Sequence, residues 1–294
     1  RRLHRKLAAI DGQGVFVGGI HILDDLNDPN HGVLDEPRFD FAVRVRGPLA
    51  ASALLATERL WWELFLINRA RRLRPGPLRR RRLRQALGGL PGTVIGEVTP
   101  AGGMQAMLVL RDNFRFRRAI EDEYLRALAA ARREALIANA YFFPGRRLRR
   151  ELIEAAGRGV RVRLLLQGRV EYRLQHWASQ AMYDELLRAG IEIVEYRRSF
   201  LHAKVAVIDD WATVGSSNID PFSLLLAREA NVVVEDAGFA ARLRGRIVAA
   251  IDDGGMPVQP TRHARRRWPV RMLHGLSFLL LRLGVAISGV GAEY

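Results

Sequence analysis

The chain has 294 residues, of which 47 are basic and 31 acidic, for a net charge of +16. That length suggests about two domains. With 49% apolar and 27% charged residues, a wholly disordered chain is excluded. There is no cysteine, so disulfide scaffolds, thiolate metal sites, Fe–S clusters and cysteine nucleophiles are excluded as well. The charge favours anionic partners: nucleic acid, anionic lipid or phosphorylated small molecules.

Only three residues precede the first histidine, which leaves no room for a signal peptide, and the chain reads as an N-terminally truncated piece of something longer. Gly14–Gly19 reads as a short buried strand. Phe39–Val45 alternates as a second strand and stops at Gly47-Pro48. Leu49–Ala70 reads as a helix with a dense apolar patch at Leu60–Ile67. For that patch, packing in a core outweighs lining an acyl-chain groove. Arg69–Arg84 holds nine arginines broken by Pro75 and Pro77, and Gly88–Gly92 closes this connector, so a domain boundary falls near residue 100. The second half alternates regularly. Met104–Leu110, Glu134–Tyr141, Val160–Leu166, Ile191–Tyr196, Leu201–Ile208 and Asn231–Glu235 read as strands. Phe114–Arg132, Arg146–Gly157, His176–Ala189 and Ala237–Ile251 read as helices. Such alternation implies an α/β sandwich around a parallel or mixed sheet.

The tail, residues 261–294, joins a basic run (Arg262–Arg271) to a mostly apolar stretch, Leu276–Val290, interrupted by Arg282. It is short of the roughly 20 residues that span a bilayer. Basic residues, Trp268 and a moderate apolar stretch suit a helix lying in the membrane interface, weighed against a helix packed on its own domain.

Of the 47 basic residues, 45 are arginine, and the two lysines are Lys6 and Lys204. Lys6 lies in His4-Arg5-Lys6-Leu7-Ala8-Ala9-Ile10-Asp11, and Lys204 in His202-Ala203-Lys204-Val205-Ala206-Val207-Ile208-Asp209. Both read H-x-K-x-x-x-x-D. Each copy is followed at similar distance by a glycine turn, Gly18-Gly19-Ile20-His21 and Gly215-Ser216-Ser217-Asn218. Two copies about 200 residues apart suggest two related halves meeting at one site. On a strand, residues i and i+2 share a face, so each histidine and lysine would project together while Asp11 and Asp209 point away as structural partners. Two imidazoles and two ammonium groups around one anion suit metal-independent phosphoryl transfer. One histidine attacks phosphorus, the other protonates the leaving oxygen, and the lysines offset charge on the non-bridging oxygens.

The duplicated HxKxxxxD motif resembles the signature of the phospholipase D superfamily, and the resemblance runs from residue 4 to about 250. Asn139–Gly145, Gly159–Gln167, Ala189–Tyr196, Phe200–Asp209 and Trp211–Asp220 are similar to bacterial cardiolipin synthases, in particular their short B form. The resemblance implies two α-β-α sandwich lobes with the active site between them. Residues 1–100 would form the first, incomplete lobe with its connector, and residues 101–260 the second. It implies transphosphatidylation without cofactor or metal. A phosphatidyl-histidine forms on His4 or His202, the other histidine acts as acid, and a second phosphatidylglycerol takes the phosphatidyl group to give cardiolipin. A phosphodiesterase, lipid hydrolase or nuclease, would use the same groups. Lys6, Lys204, Ser216, Asn218 and His21 would bind the phosphate; His21 stands where the family usually has Asn. The family also places a carboxylate downstream of each motif to hold the other ring nitrogen of the histidine. By offset this pairs Asp40 with His4 and Glu229 with His202. The expected partners are anionic phospholipid and a membrane surface, at the bacterial cell membrane. No nucleic-acid module or stacking-aromatic pattern is visible. His31, His176, His263 and His274 show no partner spacing and receive no role. Acceptor choice lies in pocket shape, which no motif records.

Overall fold

Apolar β-branched runs in the second half build a mixed sheet, and the amphipathic segments between them cover its faces. The computed structural model describes residues 2–11, 13–22, 24, 26–28, 32–72, 103–112 and 116–286. In chain order the elements are β1 (Arg2–Leu3), β2 (Leu7–Ile10), β3 (Gly14–Gly18), β4 (Asn27–Asp28), β5 (Gly32–Val33), β6 (Ala42–Val45), α1 (Pro48–Arg72) and β7 (Gln105–Arg111). Then follow α2 (Ala119–Ala130), β8 (Glu134–Asn139), α3 (Arg146–Gly157), β9 (Arg161–Gln167), α4 (Arg173–Arg188), β10 (Glu192–Tyr196), β11 (Lys204–Ile208) and β12 (Trp211–Gly215). After a π-helical turn at Phe222–Leu226 come β13 (Ala227–Glu235), α5 (Ala237–Gly254), β14 (Gly255–Pro257), α6 (Pro260–Ala264) and α7 (Trp268–Val285).

Among the described residues the large sheet has nine strands. β13, β12, β11, β8, β9, β10 and β14 lie side by side, and β1 and β7 share the outer side of β13. β8, β9 and β10 are parallel, β11 is antiparallel to β8 and β12, and β13 is antiparallel to β12 and β7 but parallel to β1. α2, α3 and α4 cover one face, where Tyr124, Leu128, Leu148, Leu152 and Leu186 pack on Ile137, Leu164 and Ala206. α5 covers the other face through Leu243 and Ile247 against Leu136, Val205 and Val214. Beside α5 sits a three-stranded antiparallel sheet, β2–β3–β6, whose Val15 and Val17 pack with Leu49 and Ala53 of α1 on Leu108, Leu110 and Val232.

That small sheet repeats the plan of β11–β12–β13. In each case the motif strand turns through an aspartate at φ 50°, Asp11 or Asp209, and the returning strand ends at a glycine, Gly18 or Gly215. The left-handed conformation suits a tight hairpin, and aspartate tolerates it better than most residues. The outer face of the small sheet is bare: Ala8, Phe16 and Arg44 lie side by side on it, with Phe16 39% exposed. The two halves are thus unequal layers packed on one another, and the large sheet belongs almost wholly to the second.

Several boundaries differ from the sequence expectation. Residues 4–6 fall between β1 and β2, and His202 precedes β11, so each histidine stands where the chain leaves one strand and begins the next. Only Ala42–Val45 of the Phe39–Val45 run is strand, with Phe39 making one parallel bridge to Leu201. α2 begins at Ala119, not Phe114. β12 and the first half of β13 carry no assignment in the sequence reading, yet burial and register make them strand. The Leu60–Ile67 patch faces out: Trp61 is 69% and Trp62 57% exposed, because α1 lies on a small sheet that offers little surface to cover it. Most of the arginine connector, the boundary near residue 100 and His31 lie outside the described residues.

Candidate active site

The two motifs meet by exchanging strands. β1 runs parallel to β13 with Leu3 opposite Arg228, and the His4 N–H donates to the Arg228 carbonyl at 3.0 Å. His4 therefore stands beside Glu229, its Nδ1 2.9 and 3.1 Å from the two carboxylate oxygens. In the second copy, Phe39 bridges in parallel to Leu201, and the His202 N–H donates to the Phe39 carbonyl at 2.9 Å. His202 therefore stands beside Asp40, with Nδ1 2.6 Å from Oδ2. The pairing expected from sequence offset is thus corrected: each carboxylate serves the histidine of the other half. The offset failed because a carboxylate's distance along the chain says nothing about which motif strand lies next to it.

A proton on Nδ1 held by a carboxylate leaves the Nε2 lone pair available, the tautomer a nucleophile or proton acceptor needs. Glu229 is wholly buried and is itself held: the Ser216 hydroxyl donates to it at 2.6 Å and accepts the Ala230 N–H at 3.0 Å. Ser216 therefore orients Glu229 rather than reaching phosphate as expected, because its only hydroxyl proton is committed. Asp40 instead accepts the N–H of Phe41 at 2.8 Å. The residue equivalent to Ser216 in the first copy is Gly19, where any Cβ would fall on the Asp40 carboxylate.

Each lysine turns back on its motif. Lys6 Nζ donates to the His4 carbonyl at 3.0 Å, and Lys204 Nζ to the His202 carbonyl. Burial pulls both ammonium groups down to about 8, opposed by Glu229 and Asp40. Lys204 is fully buried, and the charge of Lys6 acts on it. The His21 ring meets the His202 ring edge-on at 4.9 Å between centroids. Burial, then Lys6, Lys204 and His4, lower His21 to about 4. Burial, then Lys204, lowers His202 to about 3 against the opposing pull of Asp40. The site thus gathers His4, Lys6, His21, Asp40, His202, Lys204 and Glu229 around two crowded ammonium groups, whose repulsion a bound anion would relieve.

Asp209 stands apart from these groups, at its hairpin corner. Burial would raise it, but its carboxylate accepts the backbone N–H groups of Arg132, Arg133 and Glu134 at 2.8 to 3.0 Å, which holds it below its usual range. Asp11 occupies the matching hairpin corner. Asn218 is buried, and among the described residues its Oδ1 finds no partner.

Two further residues escaped sequence reasoning. Asn139 lies opposite Lys204 in register, so both project from the same face. Its Oδ1 accepts the Ile219 N–H at 3.0 Å, and among the described residues its Nδ2 has no partner. Asp220 is buried beside the His4–Glu229 pair, and burial raises it to about 6. Its place just after the second glycine turn is a signal that could have found it.

A family model described as "Cardiolipin synthase, PLD-like domain" matches residues 124–249. The matched segment of this chain is phospholipase D-like. Among curated proteins similar to this chain, Cardiolipin synthase B of Escherichia coli (strain K12) is 36% identical over 299 residues, covering 98% of this chain and 65% of its own length. Cardiolipin synthase B of Salmonella typhi is 38% identical over 300 residues, with the same coverage. The chain therefore spans about two thirds, 65%, of the length of these relatives. The crystal structure of phosphatidylserine synthase from Haemophilus influenzae Rd KW20 covers 98% of this chain and 70% of its own at a TM-score of 0.66 and 12% identity, a likeness of fold. The phospholipase D-like fold expected from the duplicated motif is thus present.

Proposed function

We propose that this protein is a cardiolipin synthase that joins two phosphatidylglycerol molecules through a phosphatidyl-histidine intermediate. The crossed pairs His4–Glu229 and His202–Asp40 carry this reading, because they present two oriented imidazoles and two lysines to one anion. One imidazole Nε2 attacks phosphorus, and the P–O bond to the headgroup glycerol breaks. The second imidazole gives its proton to that oxygen, and glycerol leaves. The same imidazole then takes the proton of a hydroxyl on a second phosphatidylglycerol, whose oxygen attacks phosphorus. The P–N bond breaks, and cardiolipin results. Lys6 and Lys204 offset the charge on the non-bridging oxygens. Phosphate binding restores the protons that burial loosens from them. The similarity to proteins named Cardiolipin synthase B supports this choice of acceptor.

The protein works at an anionic membrane surface, in peripheral contact. Among the described residues no helix is long and apolar enough to cross a membrane. α7 instead buries only a narrow stripe, His274, Ser277, Leu281 and Val285, part of it against Phe143 and Leu225. Trp268, Met272, Leu276, Leu279, Leu280 and Leu283 on its other faces are exposed, behind the exposed Arg265 and Arg267. Such a face enters the headgroup region while the arginines meet lipid phosphates. Phe143 packs on the buried stripe of α7 and its N–H donates to the Ile219 carbonyl, just past Asn218, so α7 is anchored close to the second glycine turn.

Mass spectrometry of phosphatidylglycerol vesicles, with the protein and with His202→Ala beside it, tests the proposal. Cardiolipin and glycerol from the parent alone are expected. Phosphatidic acid alone would make water the acceptor and overturn the synthase reading.

A further inference from the structure

Beside the second motif lies a small recess. It is formed where the chain leaves β8 and β9 and enters α4, and Tyr141, Arg169, Glu171, Tyr172, Gln175 and His176 are among its lining. Ligands in open α/β sheets bind outside the carboxyl ends of the strands, and this recess has that position. It is tied to the catalytic centre at three points. β8 ends in Asn139, the register partner of Lys204. Gln167, also in the lining, donates to and accepts from the backbone of Leu201, the residue before His202. The Glu171 carboxylate acts on the Lys204 ammonium.

The lining has the chemistry of a hydroxyl site rather than a phosphate site. The Tyr141 hydroxyl donates to the Glu171 carboxylate, and burial followed by that carboxylate holds the phenol protonated. Burial lowers His176, which leaves a neutral ring with one donor and one acceptor. The arginine in the lining is committed elsewhere: Arg169 donates to the carbonyls of Arg197 and Arg198 at 2.9 and 2.6 Å and lies over the Phe200 ring. A carboxylate whose neighbouring guanidinium is committed to backbone carbonyls disfavours phosphate and accepts hydrogen bonds from hydroxyls. The rings of Tyr141 and Tyr172 meet edge-on at 5.7 Å and offer apolar surface to C–H groups.

We propose that this recess binds the neutral polyol headgroup of the alcohol in phosphatidyl transfer, a glycerol unit held by Glu171 and Tyr141 beside the reacting phosphorus. The inference rests on the transferase reading and names its alcohol subsite. In a double displacement the incoming alcohol takes the position the leaving alcohol vacated, so one recess serves both glycerols.

The test uses a short-chain phosphatidyl 4-nitrophenol donor with glycerol titrated as acceptor. The readout is the glycerol concentration at which phosphatidylglycerol and phosphatidic acid form equally. That partition is set after the phosphatidyl-enzyme has formed, so it does not depend on how much enzyme folds. Glu171→Gln should raise it about tenfold or more, the loss of a hydrogen bond to a charged group, and Tyr141→Phe should raise it less. An unchanged partition in both variants overturns the proposal. Loss of nitrophenolate release in both variants overturns it too, because expelling nitrophenolate needs no glycerol subsite. A parent protein that releases no nitrophenolate overturns the transferase reading itself, a different outcome from either.

Discussion

The two copies of the motif share a backbone plan and differ in how each holds its carboxylate. Around His4, the longer Glu229 sits in a fully buried socket, fixed by the Ser216 hydroxyl. Around His202, the shorter Asp40 reaches the ring at 2.6 Å and is fixed by a backbone N–H, with Gly19 clearing space for it. One methylene more in the carboxylate is matched by a hydroxyl on the opposing turn, and one methylene less by the absence of any side chain there. Each solution also belongs to the other half, since Glu229 and Ser216 serve the first motif and Asp40 and Gly19 the second. Neither half holds its own imidazole, so the site exists only when the two sheets are docked.

The largest effect should come from breaking that exchange. Losing the carboxylate that orients a catalytic imidazole costs up to about 10⁴-fold in hydrolases that use the same device. Glu229→Gln and Asp40→Asn should each lower transfer by about 10² to 10⁴-fold with little change in stability, read as initial rates on vesicles. Equal losses from the two would show two equivalent histidines; unequal losses would tell the orienting demands of nucleophile and acid apart.

A smaller effect separates the sockets. Ser216→Ala should cost about tenfold, one hydrogen bond to a buried charge. Gly19→Ser places a Cβ on the Asp40 carboxylate and should approach the loss seen for Asp40→Asn. If Gly19→Ser were harmless and Ser216→Ala severe, the two sockets would be built alike and the comparison would fail.

How much of this was legible in the sequence divides along the same line. The alternating second half was readable because its apolar runs have the periods of fully formed strands and helices; the helix at Arg146–Gly157 matches residue for residue. The catalytic pairs could be singled out because only two lysines exist. Which carboxylate meets which histidine was not readable, since it depends on β1 adding to β13 across more than 200 residues. β12 was missed because WATVG is a short apolar run, and burial on both faces decided it. Glu171 lies on a loop, where no periodicity marks it, and Tyr141 falls just past β8, inside the run whose pattern reads as strand.

The smallest effect concerns pH. His202 in the folded protein titrates near 3, far below an exposed histidine, because burial and Lys204 oppose its charge. Between that value and about 6.5 the unfolded chain binds more protons at this residue, so its contribution to stability falls as pH falls. His21 acts in the same direction. Asp220, raised to about 6, acts in the opposite one: its contribution is full below its unfolded value and is lost as pH rises through 6. The melting temperature should therefore decline from pH 6.5 toward 4, and His202→Asn should flatten that decline. An unchanged slope would place His202 in water rather than in its socket.

The exchanged pairing itself is most directly read by NMR of the protein with ¹⁵N-labelled histidine rings. Nδ1–H protons held by carboxylates resonate far downfield, one for each pair. The structure predicts that Asp40→Asn moves the His202 signal and leaves that of His4 in place, while Glu229→Gln does the reverse. If Asp40→Asn moved the His4 signal instead, each half would hold its own histidine, and the crossed site described here would be wrong.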